Sequence, residues 1–154
     1  MERTIKTFIV TLIIILIGVW IISIMPFATD INQTMTAHIY IDGNAVQETA
    51  VHMNGKRSNY LFADEQRFIG QLYIECYERT GRESMHANVI FRKHEDRQGI
   101  IYYQNATFPS LGINHALLIN KEMNEFALGF EDGTIIATSD EMYQNYFEKY
   151  NPTK

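Results

Sequence analysis

Three hydrophobic patterns succeed one another along this chain: a long run without charge, a series of short alternating stretches, and one stretch at helical spacing. The first, "FIVTLIIILIGVWIISIMPFA", runs from Phe8 to Ala28 and holds 21 uncharged residues. Wound as a helix they rise about 31 Å, enough to cross a hydrocarbon core about 30 Å thick. A cleaved signal peptide has a shorter apolar region, about 7–15 residues, and small residues before the cut. Here Pro26 stands two positions before Ala28, where a small residue would be expected. Arg3 and Lys6 precede the run and Asp30 follows it, so the positive-inside rule places the N-terminus in the cytoplasm. The pattern therefore predicts a single-pass protein of the cell membrane. Residues 1–7 are cytoplasmic, 8–28 form a retained signal anchor, 29–34 a linker, and 35–154 an extracytoplasmic domain. A cleaved signal is the alternative, and it exports the same domain.

The second pattern has period two. In "TMTAHIYI", Met35, Ala37, Ile39 and Ile41 share one face, and Thr36, His38 and Tyr40 the other. Asp42-Gly43 follows it, Asn54-Gly55 separates "AVQETAVHM" from "KRSNYLF", and Asp132-Gly133 separates "FALGF" from "TIIAT". Such dipeptides supply the positive φ angles of tight hairpins. Between them lie "RFIGQLYIECY", "SMHANVIF", "GIIYYQNA" and "HALLIN", joined by short polar or Gly- and Pro-containing segments. Eight or nine strands with such joins leave no room for the helical crossovers of a parallel sheet. The expected fold is mainly β, an antiparallel meander forming a barrel or a two-sheet sandwich. Gly70, inside a strong strand, marks a bend or a close backbone approach. Cys76, in phase with Phe68, Leu72 and Ile74, is expected as a buried small side chain.

The third pattern closes the chain. Thr138 and Glu141 have capping-box spacing, with Ser139 also well placed at the helix start. Met142, Tyr143, Tyr146, Phe147 and Tyr150 then recur on one helical face. A short amphipathic helix is predicted, covering a barrel mouth or a sheet edge.

Charge narrows the partners. Beyond Ala28 the chain carries 17 acidic and 11 basic residues, an excess that argues against nucleic acid. One cysteine cannot close an internal disulfide, so an exported domain must rely on its core. His38, His52, His86, His94 and His115 have no metal-ligand spacing, and no serine lies in GxSxG or SxxK. Asp64-Glu65 and Glu95-Asp96 are acidic pairs beside turns, which solvation explains. No catalytic residue, cofactor or metal is assigned. The tyrosines are the candidates for contact: Tyr40, Tyr73 and Tyr77 fall opposite the most apolar phase of their strands, and Tyr102-Tyr103 point one each way. Such rings can line a groove for a glycan or an extended peptide; the alternative is cross-strand aromatic pairing.

The stretches "NYLFADEQRFIGQLYIECY", "GIIYY", "FPSLG" and "FEDGTIIATSDE" resemble a loose group of small, single-anchor exported proteins of Gram-positive bacteria. The likeness spans about residues 56–150. It lies in F-x-G-x-x-x-I, met by Phe68, Gly70 and Ile74, and in a late D-G-x-I-I-A strand, met by Asp132, Gly133, Ile135, Ile136 and Ala137. It implies the architecture and no catalytic residue. The function expected is a membrane-anchored, non-enzymatic binding module at the cell envelope. Its partner is an envelope protein, a peptide or a cell-wall glycan. The alternative is a lipid or glycan carrier, or an enzyme, using a pocket in the meander.

Retention of the anchor is open to direct measurement. The chain is expected in the membrane fraction at its uncleaved mass, and protease added to wall-stripped cells is expected to digest residues 35–154. A soluble species starting near Thr29 or Asp30 would show cleavage, and a protected domain would reverse the orientation.

Overall fold

A computed structural model of the chain describes residues 2–60, 63–92, 95 and 98–150, with the side chains of Glu2 and His115 outside the described set. Helix α1 spans Glu2–Ile24. Its segment Arg3–Ile24 has a mean hydropathy of 2.8, buries none of that surface in the protein, and is long and apolar enough to cross a membrane. Met25 and Pro26 follow, since a proline ends the helix before it.

Eight antiparallel strands then close a barrel in chain order: β1 Phe27–Ile41, β2 Asn44–Asn59, β3 Glu65–Ile74, β4 Met85–Arg92, β5 Gln98–Gln104, β6 Ile113–Ile119, β7 Phe126–Phe130 and β8 Ile135–Ala137. Helix α2, Asp140–Tyr150, packs on the outer wall over β6, β7 and β8. Of the two sheet architectures the alternation allowed, the barrel is the one formed. The segment expected as a linker, residues 29–34, lies within β1.

Inward-facing side chains fill the barrel, which suits the narrow interior of an eight-stranded ring. Val51, Met53, Phe68, Leu72, Ile74, Ile100, Leu117, Phe126, Leu128 and Ile136 are almost wholly buried there. A second cluster lies outside, where Tyr40, Ala127, Ile135, Ala137, Tyr143 and Tyr146 pack between the wall and α2. Strands β7 and β8 are thus covered on both faces. This is why "FALGF" and "IIA" read as unbroken apolar runs, with every residue buried.

Two of the three predicted hairpins are present. Asp42 and Gly43 both take positive φ, 48° and 84°, and join β1 to β2. At the β7–β8 turn Gly133 has φ 88°, and the Asp132 side chain accepts a bond from the Thr134 amide at 2.9 Å. Asn54-Gly55 is not a turn. Both residues lie inside β2, where Gly55 pairs with Ile31 on one side and Gly70 on the other. A Cβ on Gly55 would stand 2.5 Å from the Ile69 carbonyl oxygen and 2.6 Å from the Gly70 Cα. The two glycines therefore let β2 and β3 approach where side chains would hold them apart, which is the close approach expected of Gly70. The predicted stretches "AVQETAVHM" and "KRSNYLF" merge into one strand as far as Asn59, and Leu61 and Phe62 lie outside the described residues.

Other expectations change at element ends. Cys76 is exposed, because β3 stops at Ile74 and the alternation ends with it. A register shift opposite Ile39/Tyr40 leaves Val46 of β2 without a partner on β1; Tyr40 keeps its outward phase and is buried under α2, and Ile41 is 47% exposed. Ser139 caps α2, its hydroxyl accepting from the Met142 amide at 3.2 Å, while the Thr138 hydroxyl bonds the Phe126 backbone. On α2, Tyr143 and Tyr146 are buried but Phe147 is 40% exposed. The helix covers the wall, and the closed ring leaves it no free sheet edge to cover along β6–β8.

Gly70→Ala is expected to lower stability by about 1–3 kcal/mol, the usual cost of overpacking. Thermal melts of the full chain in neutral detergent read this directly. An unchanged midpoint would mean that the β2–β3 backbones can separate without loss.

Candidate functional site

Two sizeable cavities open at opposite ends of the barrel. β1 carries the chain from Phe27, just after α1, to the Asp42-Gly43 hairpin, about 45 Å of strand away. One cavity lies beside that hairpin and the other beside the start of β1.

The far cavity is a groove of about 650 Å³ between α2 and the barrel wall. Its aromatic lining is Tyr40 from β1 and Phe130 from β7 with Tyr143, Tyr146, Phe147 and Tyr150 from α2. Tyr40 and Tyr143 stack with centroids 4.1 Å apart and planes 12° from parallel. Tyr146 stands over Gly129, where a Cβ would lie 2.7 Å from its hydroxyl, and that hydroxyl donates to the Ala116 carbonyl at 3.2 Å. A side chain at position 129 would thus push α2 off the wall. Asp42, Glu131 and Asp132 from the two hairpin turns give the rim an acidic edge. The arrangement suits a polar ligand that stacks on rings and donates hydrogen bonds to carboxylates.

Burial pushes the Tyr40 phenol up to about 12, and its bond to Asp140, at 2.6 Å from hydroxyl to Oδ1, adds to the rise. Tyr102 is raised too, by burial alone; it sits inside the barrel and donates to the Leu72 carbonyl at 2.9 Å.

The five candidate tyrosines therefore part company. Tyr40 lines the far groove. Tyr102 belongs to the core, and Tyr77 packs against it, edge-on to Phe130 at 4.9 Å and bonded to the Leu111 carbonyl. Tyr73 and Tyr103 lie on the outer wall, stacked on His52 at 5.6 Å and on His86 at 5.4 Å. These are the cross-strand pairs of strands β2–β3 and β4–β5. Beside Tyr73, His52 meets the Thr34 hydroxyl at 2.9 Å and the Glu75 carboxylate at 3.1 Å. This row resembles a nucleophile–base–acid relay, but it lies on the wall and lines neither end cavity. It is a polar ladder. Among the described residues no three His, Cys, Asp or Glu side chains gather for a metal. His94 and Asp96 lie outside those residues, as does the side chain of His115.

The near cavity, about 860 Å³, lies at the barrel end beside the start of β1 and is built around Arg57. Arg57 pairs with Phe68 across β2–β3 and shares its inward direction. The guanidinium lies 4.7 Å over the Phe91 ring, donates to Gln66 Oε1 at 2.9 Å and also donates to the Lys121 carbonyl. The loop from Asn120 to Glu125 stoppers this end. Met123, wholly buried at φ 61°, plugs the interior, and Asn120 Oδ1 accepts from the Asn124 and Glu125 amides. Sequence reasoning passed over Arg57, although its signal was present. Val51, Met53, Gly55 and Arg57 share one face once β2 is read as a single strand, so an arginine points into the barrel end.

No family model, curated protein or solved structure matches this chain.

Tyr40 contributes stability with a definite pH window. Its folded-state phenol ionises above the ordinary value of 10, so the contribution is whole below pH 10 and is lost as pH rises through about 12. Tyr40→Phe is expected to lower the melting temperature at pH 7, where the bond to Asp140 is intact, and to flatten its fall between those values. An unchanged alkaline slope would remove the Tyr40–Asp140 bond from the account.

Proposed function

We propose that this chain is a membrane-anchored, non-enzymatic binding module of the cell envelope, tethered by α1 with its N-terminus in the cytoplasm and the barrel outside. Its recognition site is the aromatic, acid-rimmed groove at the barrel end away from the anchor. The partner is a wall glycan or a peptide segment bearing amino groups. The resemblance to small single-anchor exported proteins fits this reading.

The groove is the observation that carries it. Stacked Tyr40 and Tyr143 form a rigid floor, Phe147 and Tyr150 offer ring surface, and Asp42, Glu131 and Asp132 supply charge opposite to an amine. A tether at one end of the barrel and a groove at the other present the site away from the bilayer. The packed interior weighs against a carrier that encloses its cargo, because Phe68, Leu72, Ile100, Leu117 and Phe126 fill the space such a ligand would need.

Co-sedimentation of the full chain, in neutral detergent, with insoluble wall polymer tests the proposal. The wild type is expected to pellet. Phe147→Ala and Asp132→Asn are each expected to weaken retention about five- to thirtyfold, a loss of about 1–2 kcal/mol per contact. Equal retention of all three proteins, or none, would overturn the groove as the recognition site.

A further inference from the structure

We propose that the near cavity, centred on Arg57, is a binding site for the phosphate of an anionic phospholipid headgroup. Four observations lead there.

The first is electrostatic. Arg57 is half-buried against Phe91, and among the described residues its guanidinium donates to the neutral Gln66 amide and the Lys121 carbonyl. Its Nε–H is sealed from solvent and has no hydrogen-bond partner among the described residues. Among the described residues no carboxylate forms an ion pair with it, and Glu122 acts on it only through space. The nearby Arg67 and Arg92 differ: Arg67 pairs with Glu65 at 2.7 Å, and Arg92 with Glu95 at 3.2 Å. A half-buried cation held by neutral groups has no directly bonded counter-charge among the described residues, and an incoming anion would supply one.

The second is the charge of the lining. Arg57, Arg92, Lys121 and Lys149 face this cavity against Glu95 and Glu122. Counted over the described lining residues, the mouth is net positive on a domain whose overall charge is negative.

The third is the mixed chemistry of the walls. Phe91, Leu118 and Ile119 give the cavity an apolar side next to the cations. A volume of about 860 Å³ far exceeds a bare phosphate and suits a headgroup with its glycerol and the first acyl carbons.

The fourth is position. Asn59 lines the cavity and pairs with Phe27, and only Met25 and Pro26 separate that residue from α1. With α1 in a bilayer, this mouth is held at the headgroup layer. The inference rests on that anchor reading, and the far groove plays no part in it.

Native mass spectrometry of the full chain in neutral detergent, with equal amounts of phosphatidylglycerol and phosphatidylcholine, tests the site. The wild type is expected to retain phosphatidylglycerol about fivefold over phosphatidylcholine, the scale of one cation near an anionic surface. Arg57→Gln is expected to bring the two lipids near parity. Lys121→Gln, an exposed rim change that leaves the Lys121 carbonyl in place, is expected to lower the preference about twofold and covers the case in which Arg57→Gln does not fold. Competition by inorganic phosphate would show that the phosphate group alone suffices; its failure to compete would assign the site to the lipid. Parity in the wild type, or an unchanged preference in both variants, would overturn the proposal. Because detergent replaces the bilayer, these outcomes are independent of whether fractionation finds the anchor retained.

Discussion

The barrel closes through a short seam, and the rest of the architecture is arranged around that fact. β1 and β2 pair along the whole of β1, from Phe27 to Ile41, whereas β1 and β8 pair only through His38, Ile39 and Tyr40 with Ala137, Ile136 and Ile135. Three residue pairs are a weak closure, since a sheet edge left open costs unpaired backbone groups. α2 reinforces it from outside. Tyr143 stacks on Tyr40 of β1, and the same helix covers Ala127 of β7 and Ile135 and Ala137 of β8. The hydroxyl of Tyr40 reaches Asp140 in the first turn of α2, so one residue joins the first strand, the seam and the last helix.

That clamp also makes the far groove. An aromatic helix lies across small residues, Gly129 and Ala137 among them, beside the two hairpin turns. The space between is walled by rings from α2 and by carboxylates from the turns. At the other end a different device is used. The Asn120–Glu125 loop folds back on the Asn120 side chain and drives Met123 into the core, and Gln33 of β1 donates to the Met123 carbonyl at 2.5 Å. Arg57 holds the same loop through the Lys121 carbonyl. The stopper keeps water from the core while leaving a cationic pocket beside it.

The division between what was legible and what was not follows residue by residue. The Asp42-Gly43 and Asp132-Gly133 turns were readable because their backbone demand is local: positive φ at an exposed corner. Asn54-Gly55 carried the same local signal and was used differently, because its glycine faces Gly70, fifteen residues further along the sequence and directly opposite it across β2–β3. Reading it as a turn broke β2 and hid the inward phase of Arg57, so the near pocket went unseen with it. Of the tyrosines, Tyr40 was singled out for an exposed role; it does face outward, opposite Ala37 and Ile39, but α2 packs over it and buries it.

The amino-acid order by itself determined what depends on neighbours a few positions apart: a span long enough for a bilayer, the alternating strands, two hairpins and an amphipathic last helix. Tertiary structure decided everything that depends on which strands meet. Ring closure chose the barrel over the sandwich, because the hydrogen-bonding edges of β1 and β8 satisfy each other only when the sheet curls through a full turn. It set which face of each strand is inside, which put Arg57 at one mouth and Tyr40 under α2 near the other. Local sequence cannot specify those placements, because cross-strand partners are chosen by packing and register between distant segments.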